Sequence, residues 1–269
     1  MNRQICLTIA GSDSGGEAGI QADLQTFADF DCHGLSAITA NTAQNPQKIL
    51  SLNTVPNKAI ADQLISLFSY FDIKCIKTGL LPSVEIMKTI LELIPDDSIL
   101  VTDPIIASTS GTRIMPDQSL TFFKTTFSKR IDYLTPNMEE AEILSSQRPT
   151  ISRNYYNSLR PFFRKGLFLK GGHSARPGVD YFFDDDGSYK LESPLVEIRS
   201  SHGTGCRLSS ALCAGLSLGN TAIESALSAK NYVYHALKSC QMTDKGQWLI
   251  GSPGKAESLK NIVEVTELP

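Results

Sequence analysis

No apolar run in this 269-residue chain approaches the ~20 residues that a helix needs to cross a bilayer, so a membrane-spanning protein is not expected. The opening stretch, residues 1–10, has one basic residue and too short an apolar run for a secretory signal. There is no dense Lys/Arg run, and the formal charge is -3 at pH 7, which argues against a nucleic-acid partner gripped by bulk electrostatics. Six cysteines (Cys6, Cys32, Cys75, Cys206, Cys213 and Cys240) are scattered without a CxxC pair, mostly in apolar surroundings. They suit reduced, buried thiols in the cytoplasm, and not a disulfide framework or a zinc site. Internal repeats, low-complexity tracts and domain linkers are also missing. One soluble, cytoplasmic domain over residues 1–269 is expected, with the tail from about 243 to 269 losing its pattern and packing loosely.

What the chain does have is a regular alternation. Apolar content is 41% and charged content 20%, ordinary values for a protein with a sizeable core. Residues 5–10 read as a buried strand, followed by a polar glycine turn and a helix carrying Ile20, Leu24 and Phe27 on one face. Residues 35–39, 73–77, 98–102, 133–135 and 167–170 are further strand candidates. Helical spacing marks Ile60, Leu64, Phe68 and Phe71, and helices are expected near 84–95, 117–128, 138–146 and 154–165. Residues 181–183 and 189–191 read as a hairpin around an Asp-Gly turn, with Asp184, Asp185 and Asp186 at a solvated tip. Two amphipathic helices follow, roughly 206–218 and 221–240. This order predicts an α/β fold, a mostly parallel sheet with helices on both faces. Ligands of such sheets gather beyond the carboxyl ends of the strands.

The most informative segment is His202-Gly203-Thr204-Gly205-Cys206-Arg207, with two glycines around a threonine just before a helical pattern. A helix starting there aims unpaired N–H groups and its positive dipole end at the turn, which suits a phosphate or a phosphoryl-transfer oxyanion. A plain glycine-rich strand-to-helix connection with a buried cysteine fits the same residues. A second glycine-rich turn, Gly11 to Gly19, lacks both the G-x-G-x-x-G spacing and the Gly-Lys-Ser/Thr ending of a P-loop. It suits a polar organic ligand, or else capping of the next helix by Asp13 or Ser14. Glu140, in the helix start Asn137-Met138-Glu139-Glu140, either holds Mg²⁺ or complements the helix dipole. Lys170, in Lys170-Gly171-Gly172-His173, either neutralises phosphate charge or ends a strand in solvent. His33 and His235 read as structural or exposed.

Taken together and in order, these segments resemble the hydroxymethylpyrimidine kinase/phosphomethylpyrimidine kinase family of thiamine biosynthesis, a branch of the ribokinase-like superfamily. The matching pieces are Ala10-Gly11-Ser12-Asp13 with Gly19-Ile20-Gln21-Ala22-Asp23, Thr42-Ala43-Gln44-Asn45, Lys77-Thr78-Gly79-Leu80, Asp103-Pro104, Thr109-Ser110-Gly111, Thr135-Pro136-Asn137 with Glu140, Lys170-Gly171-Gly172-His173, and His202 to Cys206. The resemblance implies a three-layer α/β/α sandwich with a small β-hairpin. It also implies transfer of the γ-phosphoryl group of ATP to a hydroxymethyl aminopyrimidine and then to its monophosphate. On that basis the Gly11 backbone, Asp23, Gln44 and Leu80 would bind the pyrimidine, and Gly203, Thr204 and Gly205 would form the anion hole. Cys206 would accept or orient the substrate hydroxyl proton. Asp103 and Glu140 would organise Mg²⁺, while Lys170, His173 and Asn137 would lie by the nucleotide. A homodimer with small-molecule partners is expected from the same likeness. Residues 171–178 are expected to form a mobile flap.

Four positions depart from the family pattern. Glu17 replaces a common glycine and is expected to bring charge beside the pyrimidine pocket. Arg207 stands where a small threonine is usual and is expected to be a solvated helix residue. Leu80 replaces a frequent methionine, and Thr112 a frequent aspartate. They leave two alternatives in view: a pyridoxal kinase, and a pyrimidine-binding protein without turnover.

Overall fold

The computed structural model describes residues 3–106, 114–171, 178–197, 200 and 202–268, apart from the Arg153 side chain. Strand residues alternate between two hydrophobic clusters, and this two-residue period organises the fold. Leu7, Ile76, Leu100, Leu134 and Leu167 point to one cluster, while Cys6, Cys75, Val101, Tyr133 and Phe168 point to the other. The strands that contribute them are β1 (Ile5–Asp13), β4 (Cys75–Thr78), β5 (Ile99–Thr102), β6 (Tyr133–Leu134) and β7 (Gly166–Leu169). With β2 (His33–Asn45) they form a parallel block in the order β7-β6-β5-β4-β1-β2. Antiparallel strands extend it on both sides: β3 (Lys48–Thr54) beyond β2, and β8 (Val179–Phe183), β9 (Ser188–Glu192) and β12 (Glu264–Glu267) beyond β7.

Helices α2 (Asn57–Phe68), α3 (Val84–Leu93), α4 (Asp117–Thr125), α5 (Met138–Ser145) and α6 (Arg153–Leu159) cover the face of the first cluster. Helices α1 (Gly19–Asp29), α7 (Thr204–Ser217) and α8 (Ala222–Lys238) cover the other. The expected three-layer α/β/α arrangement with a mostly parallel sheet is therefore present. A separate two-stranded ribbon pairs β10 (Gln241–Met242) with β11 (Trp248–Leu249). Among the described residues no helix is long and apolar enough to cross a membrane.

Three expectations change. The tail is not loose throughout, because β12 pairs with β9 and Ile250 is buried. Strand β3 was hidden in the sequence because its side chains are nearly all exposed and show no apolar alternation. The hairpin between β8 and β9 forms as read, but Asp184 is buried: its Oδ1 accepts from the N–H groups of Asp186 and Gly187 and holds the turn.

Candidate active site

Helix α7 begins at Gly203, which sits in the left-handed region at φ 80° and offers no side-chain cap. By contrast, α3, α5 and α8 each satisfy their own first turns, through Ser83, Asn137 and Thr221. A Cβ on Gly203 would fall 1.9 Å from the carbonyl oxygen of Glu17, so only glycine lets the two glycine-rich turns meet here. Gly205 has the same kind of role toward the strand ends. A Cβ on it would lie 3.1 Å from Lys170 Nζ and 3.3 Å from Asp103 Oδ2. The positive end of α7, the lysine and the aspartate thus converge on one spot.

Lys170, just past β7, places Nζ 2.7 Å from Asp103 Oδ1 and 4.0 Å from Glu140 Oε2. Asp103, just past β5, is buried, and its Oδ2 has no hydrogen-bond partner among the described residues. Burial pushes the Glu140 carboxyl up to about 7; the nearby Lys170 ammonium opposes this and Asp103 adds to it. Burial alone would lower the Lys170 ammonium, but Asp103 and Glu140 outweigh it and raise it above the usual lysine range. Asn137 and Glu140 form a capping box on α5: Asn137 Oδ1 accepts from the Glu140 N–H, and Glu140 Oε2 accepts from the Asn137 N–H, each at 2.8 Å. The dipole-complementing role and the position near Lys170 therefore coexist in one glutamate.

Beneath Cys206 lies a pair that sequence reading did not single out. Lys77, fully buried on β4, donates to both Asp23 oxygens at 2.9 and 2.7 Å. Thr8 and Ser210 also donate to Asp23, at 2.6 and 2.7 Å. Asp23, expected beside the pyrimidine, is thus buried with both oxygens hydrogen-bonded, and its charge is paired with Lys77. The missed signal was a lysine inside an otherwise apolar strand, whose burial requires a counter-charge.

Burial pushes the Cys206 thiol up to about 11; Lys77 opposes this, Asp23 and Asp103 add to it, and a backbone hydrogen bond from Gly19 lowers it. The thiol is therefore neutral at physiological pH, and its thiolate fraction grows about tenfold per pH unit below that value. Iodoacetamide is expected to label Cys206 much more slowly than free cysteine at about pH 7.5, with the rate rising steeply only well above about pH 9. Labelling of Cys206 that matches or outpaces free cysteine at the lower pH contradicts the assignment.

The Gly11–Gly19 turn completes the rim. Asp13 accepts from the N–H groups of Gly15 and Ala18 at 2.8 and 3.0 Å and so closes its own turn, while Ala18 is the N-cap of α1 and no side-chain cap is formed there, contrary to the capping expected of Asp13 or Ser14. Burial pushes its carboxyl up, but hydrogen bonds from His202, Gly15 and Ala18 outweigh this and hold it below the usual carboxylate range. His202 Nε2 lies 3.3 Å from Asp13 Oδ2 and 2.8 Å from Gln44 Nε2, so His202 packs the 202–206 turn against both. Its role was not legible, because 158 residues separate it from Gln44. Gly11 abuts Leu80, with a Cβ placed 3.0 Å from Leu80 Cδ2. Gly11 and Leu80 thus pack together, and Gln44 lies against the 202–206 turn.

Both charged departures are corrected. Glu17 is buried and turns inward, with Oε1 accepting from the Ile250 N–H at 3.1 Å. Arg207 is 1% exposed and bonded into the protein, not solvated. His173, Thr109, Ser110, Gly111, Thr112 and residues 172–177 of the expected flap lie outside the described residues.

The family model described as phosphomethylpyrimidine kinase matches residues 13–250. A hydroxymethylpyrimidine/phosphomethylpyrimidine kinase of Aquifex aeolicus is 32% identical over 248 residues, covering 90% of this chain and 97% of its own. The corresponding kinase of Streptomyces coelicolor is 35% identical, covering 87% and 88%. A thiamine biosynthetic bifunctional enzyme of Arabidopsis thaliana is 37% identical, and this chain spans 46% of that protein's length. Among solved structures, the pyridoxal kinase of Staphylococcus aureus in complex with ADP superposes with a TM-score of 0.87 at 26% identity, over 100% of both chains. The phosphomethylpyrimidine kinase of Clostridium difficile superposes with a TM-score of 0.74 at 29% identity, over 87% of this chain and 100% of that one. With a family model matched over residues 13–250 and relatives 32% and 35% identical over most of both chains, the chain belongs to the phosphomethylpyrimidine kinase family.

Proposed function

We propose that this chain transfers the γ-phosphoryl group of ATP to the hydroxymethyl oxygen of 4-amino-5-hydroxymethyl-2-methylpyrimidine, and then phosphorylates the monophosphate. The observation that carries this reading is the convergence of the α7 N-terminus, Lys170 and Asp103 on Gly205, beside the Gly11, Leu80 and Gln44 group. Phosphoryl transfer passes through a loose transition state, so positioning and charge stabilisation supply most of the acceleration. The dipole and first-turn N–H groups of α7, with Lys170, receive the negative charge of the transferring oxygens. Gln44 can donate and accept along a heterocycle edge, and Leu80 gives an apolar wall. Cys206 acts as a neutral thiol that orients the substrate hydroxyl, and no phosphocysteine is needed.

The residues present fit a Mg²⁺ ion. Asp103 Oδ2 is a buried carboxylate oxygen without a partner among the described residues, and Glu140 lies on the same lysine. No group of three or more acidic, cysteine or histidine ligands forms among the described residues. That sparse set suits an ion usually held by one or two carboxylates, with waters and substrate phosphates completing its shell. Bound with the nucleotide, it would neutralise phosphate charge.

The test is ATP consumption with Mg²⁺ and each candidate alcohol, followed by product mass. The full-length match to a pyridoxal kinase makes pyridoxal the second substrate to try. A kcat/KM for the pyrimidine at least about tenfold above that for pyridoxal is expected, and the reverse order overturns the choice. Binding of both ligands without phosphorylated product would favour a silent binding protein. Replacing Cys206 with alanine is expected to lower kcat by roughly 10- to 100-fold; an unchanged kcat removes the thiol from the mechanism. We also propose a cytoplasmic homodimer whose partners are small molecules; a solution mass near 29.3 kDa, that of one chain, contradicts the dimer.

A further inference from the structure

Glu17, in the 11–19 turn, and Arg207, in the first turn of α7, lie 190 residues apart in sequence, and the fold brings them together. Arg207 Nη1 donates to the Glu17 carbonyl oxygen at 2.6 Å. Its Nη2 donates to Gln25 Oε1 at 3.0 Å and to the Ile250 carbonyl oxygen at 3.1 Å. Nε is buried without a partner among the described residues. The Glu17 side chain, also buried, accepts the Ile250 N–H. The main chain of Ile250 is therefore gripped twice, by its N–H and by its carbonyl. Gly203 rests on the same spot, since a Cβ there would lie 2.9 Å from Arg207 Nη1 as well as against Glu17.

This arrangement is expensive. A cation in the first turn of a helix opposes the macrodipole, and a buried guanidinium loses its hydration. Surface exposure would avoid both costs, yet the side chain is turned inward to main-chain oxygens of two other segments. A planar fork suits that task, because its donors diverge at fixed angles, which a lysine ammonium cannot reproduce.

We infer that Glu17 and Arg207 form a buried strut that fixes the substrate turn (11–19) against the anion turn (203–206), with Ile250 as its third leg. Arg207 is then a positioning residue for phosphoryl transfer, and the chain around Ile250 is part of what holds the active site in register. Neither side chain touches the reacting atoms. The inference rests on the kinase reading, because the two turns carry the alcohol and the phosphates on that reading. A displacement of about 1 Å between reacting groups costs roughly 10²-fold in rate, so loosening the strut should appear in kcat.

The test compares Arg207→Met, Arg207→Lys, Glu17→Ala and Glu17→Gln with the parent protein. Three readouts are needed: steady-state kinetics, Kd for a non-hydrolysable ATP analogue, and amide exchange at Ile250. Arg207→Met is expected to lower kcat by about tenfold or more, with the analogue Kd changed by less than about threefold. Arg207→Lys should fall between it and the parent. Glu17→Ala is expected to speed Ile250 amide exchange and lower kcat, whereas Glu17→Gln keeps an acceptor oxygen and restores both to within about threefold of the parent. If Arg207→Met does not fold, Glu17→Ala carries the same readouts. Parent-like kcat and parent-like Ile250 exchange in whichever variant folds overturn the strut. If the parent itself shows no turnover, the kinase reading fails while the exchange data still decide whether the strut exists.

Discussion

Replacing Lys170 with methionine is expected to lower kcat by roughly 10²- to 10³-fold while leaving a cooperatively folded protein. The lysine is the one cation placed against both Asp103 and Glu140 among the described contacts, at 2.7 and 4.0 Å. It also stands 3.1 Å from where a Cβ of Gly205 would be, at the head of α7. Its removal takes away the charge opposed to the transferring oxygens and leaves two buried carboxylates without their shared counter-ion. Lys170→Arg is not a mild control, because the guanidinium is larger and Gly205 leaves little room. The measurement is kcat with saturating ATP and alcohol, alongside a thermal melt. A kcat within about threefold of the parent would remove Lys170 from charge stabilisation.

Gly203→Ala is expected to be the most damaging single methyl group in the site. Its backbone is left-handed at φ 80°, where an L side chain costs roughly 1–2 kcal/mol. The added carbon would also overlap the Glu17 carbonyl oxygen, 1.9 Å away, which is backbone and cannot rotate aside. The turn must open, at a total cost of about 3 kcal/mol or more. In a chain of this size that lowers the melting temperature by roughly 6–12 °C, and activity falls with it. Gly219 offers the comparison: it is also left-handed, at φ 84°, but a Cβ there meets nothing within 4 Å. Gly219→Ala should therefore cost only the backbone term. Equal melting temperatures for the two variants would show that the Glu17–Gly203 contact does not constrain the protein.

The frame of the fold was legible because its signals are local. Short apolar runs, glycine turns and helical spacing between residues 5 and 240 mark the parallel block, its helices and the rim where Gly11, Asp103, Lys170 and Gly203 meet. What was illegible depends on distant partners. Arg207 reads as a solvated helix residue because nothing near it in sequence shows that Glu17 and Ile250 will cover it. The bonds of Asp23 to Lys77, Thr8 and Ser210 are likewise a tertiary fact that its sequence neighbours do not signal. The protonation of Cys206 is likewise set by tertiary neighbours. A helix N-terminus lowers a thiol and burial raises it, and only the packed site shows that burial wins.

The central claim is that the turn at the start of α7 receives the phosphates next to the alcohol. A crystal structure with Mg²⁺, a non-hydrolysable ATP analogue and the hydroxymethylpyrimidine tests it most directly. The account predicts terminal phosphate oxygens within hydrogen-bonding distance of main-chain N–H groups in the 203–206 turn and of Lys170, with the hydroxymethyl oxygen beside Cys206 and the ring near Gly11, Leu80 and Gln44. Phosphates bound elsewhere, or a ring seated away from Gly11, would contradict it.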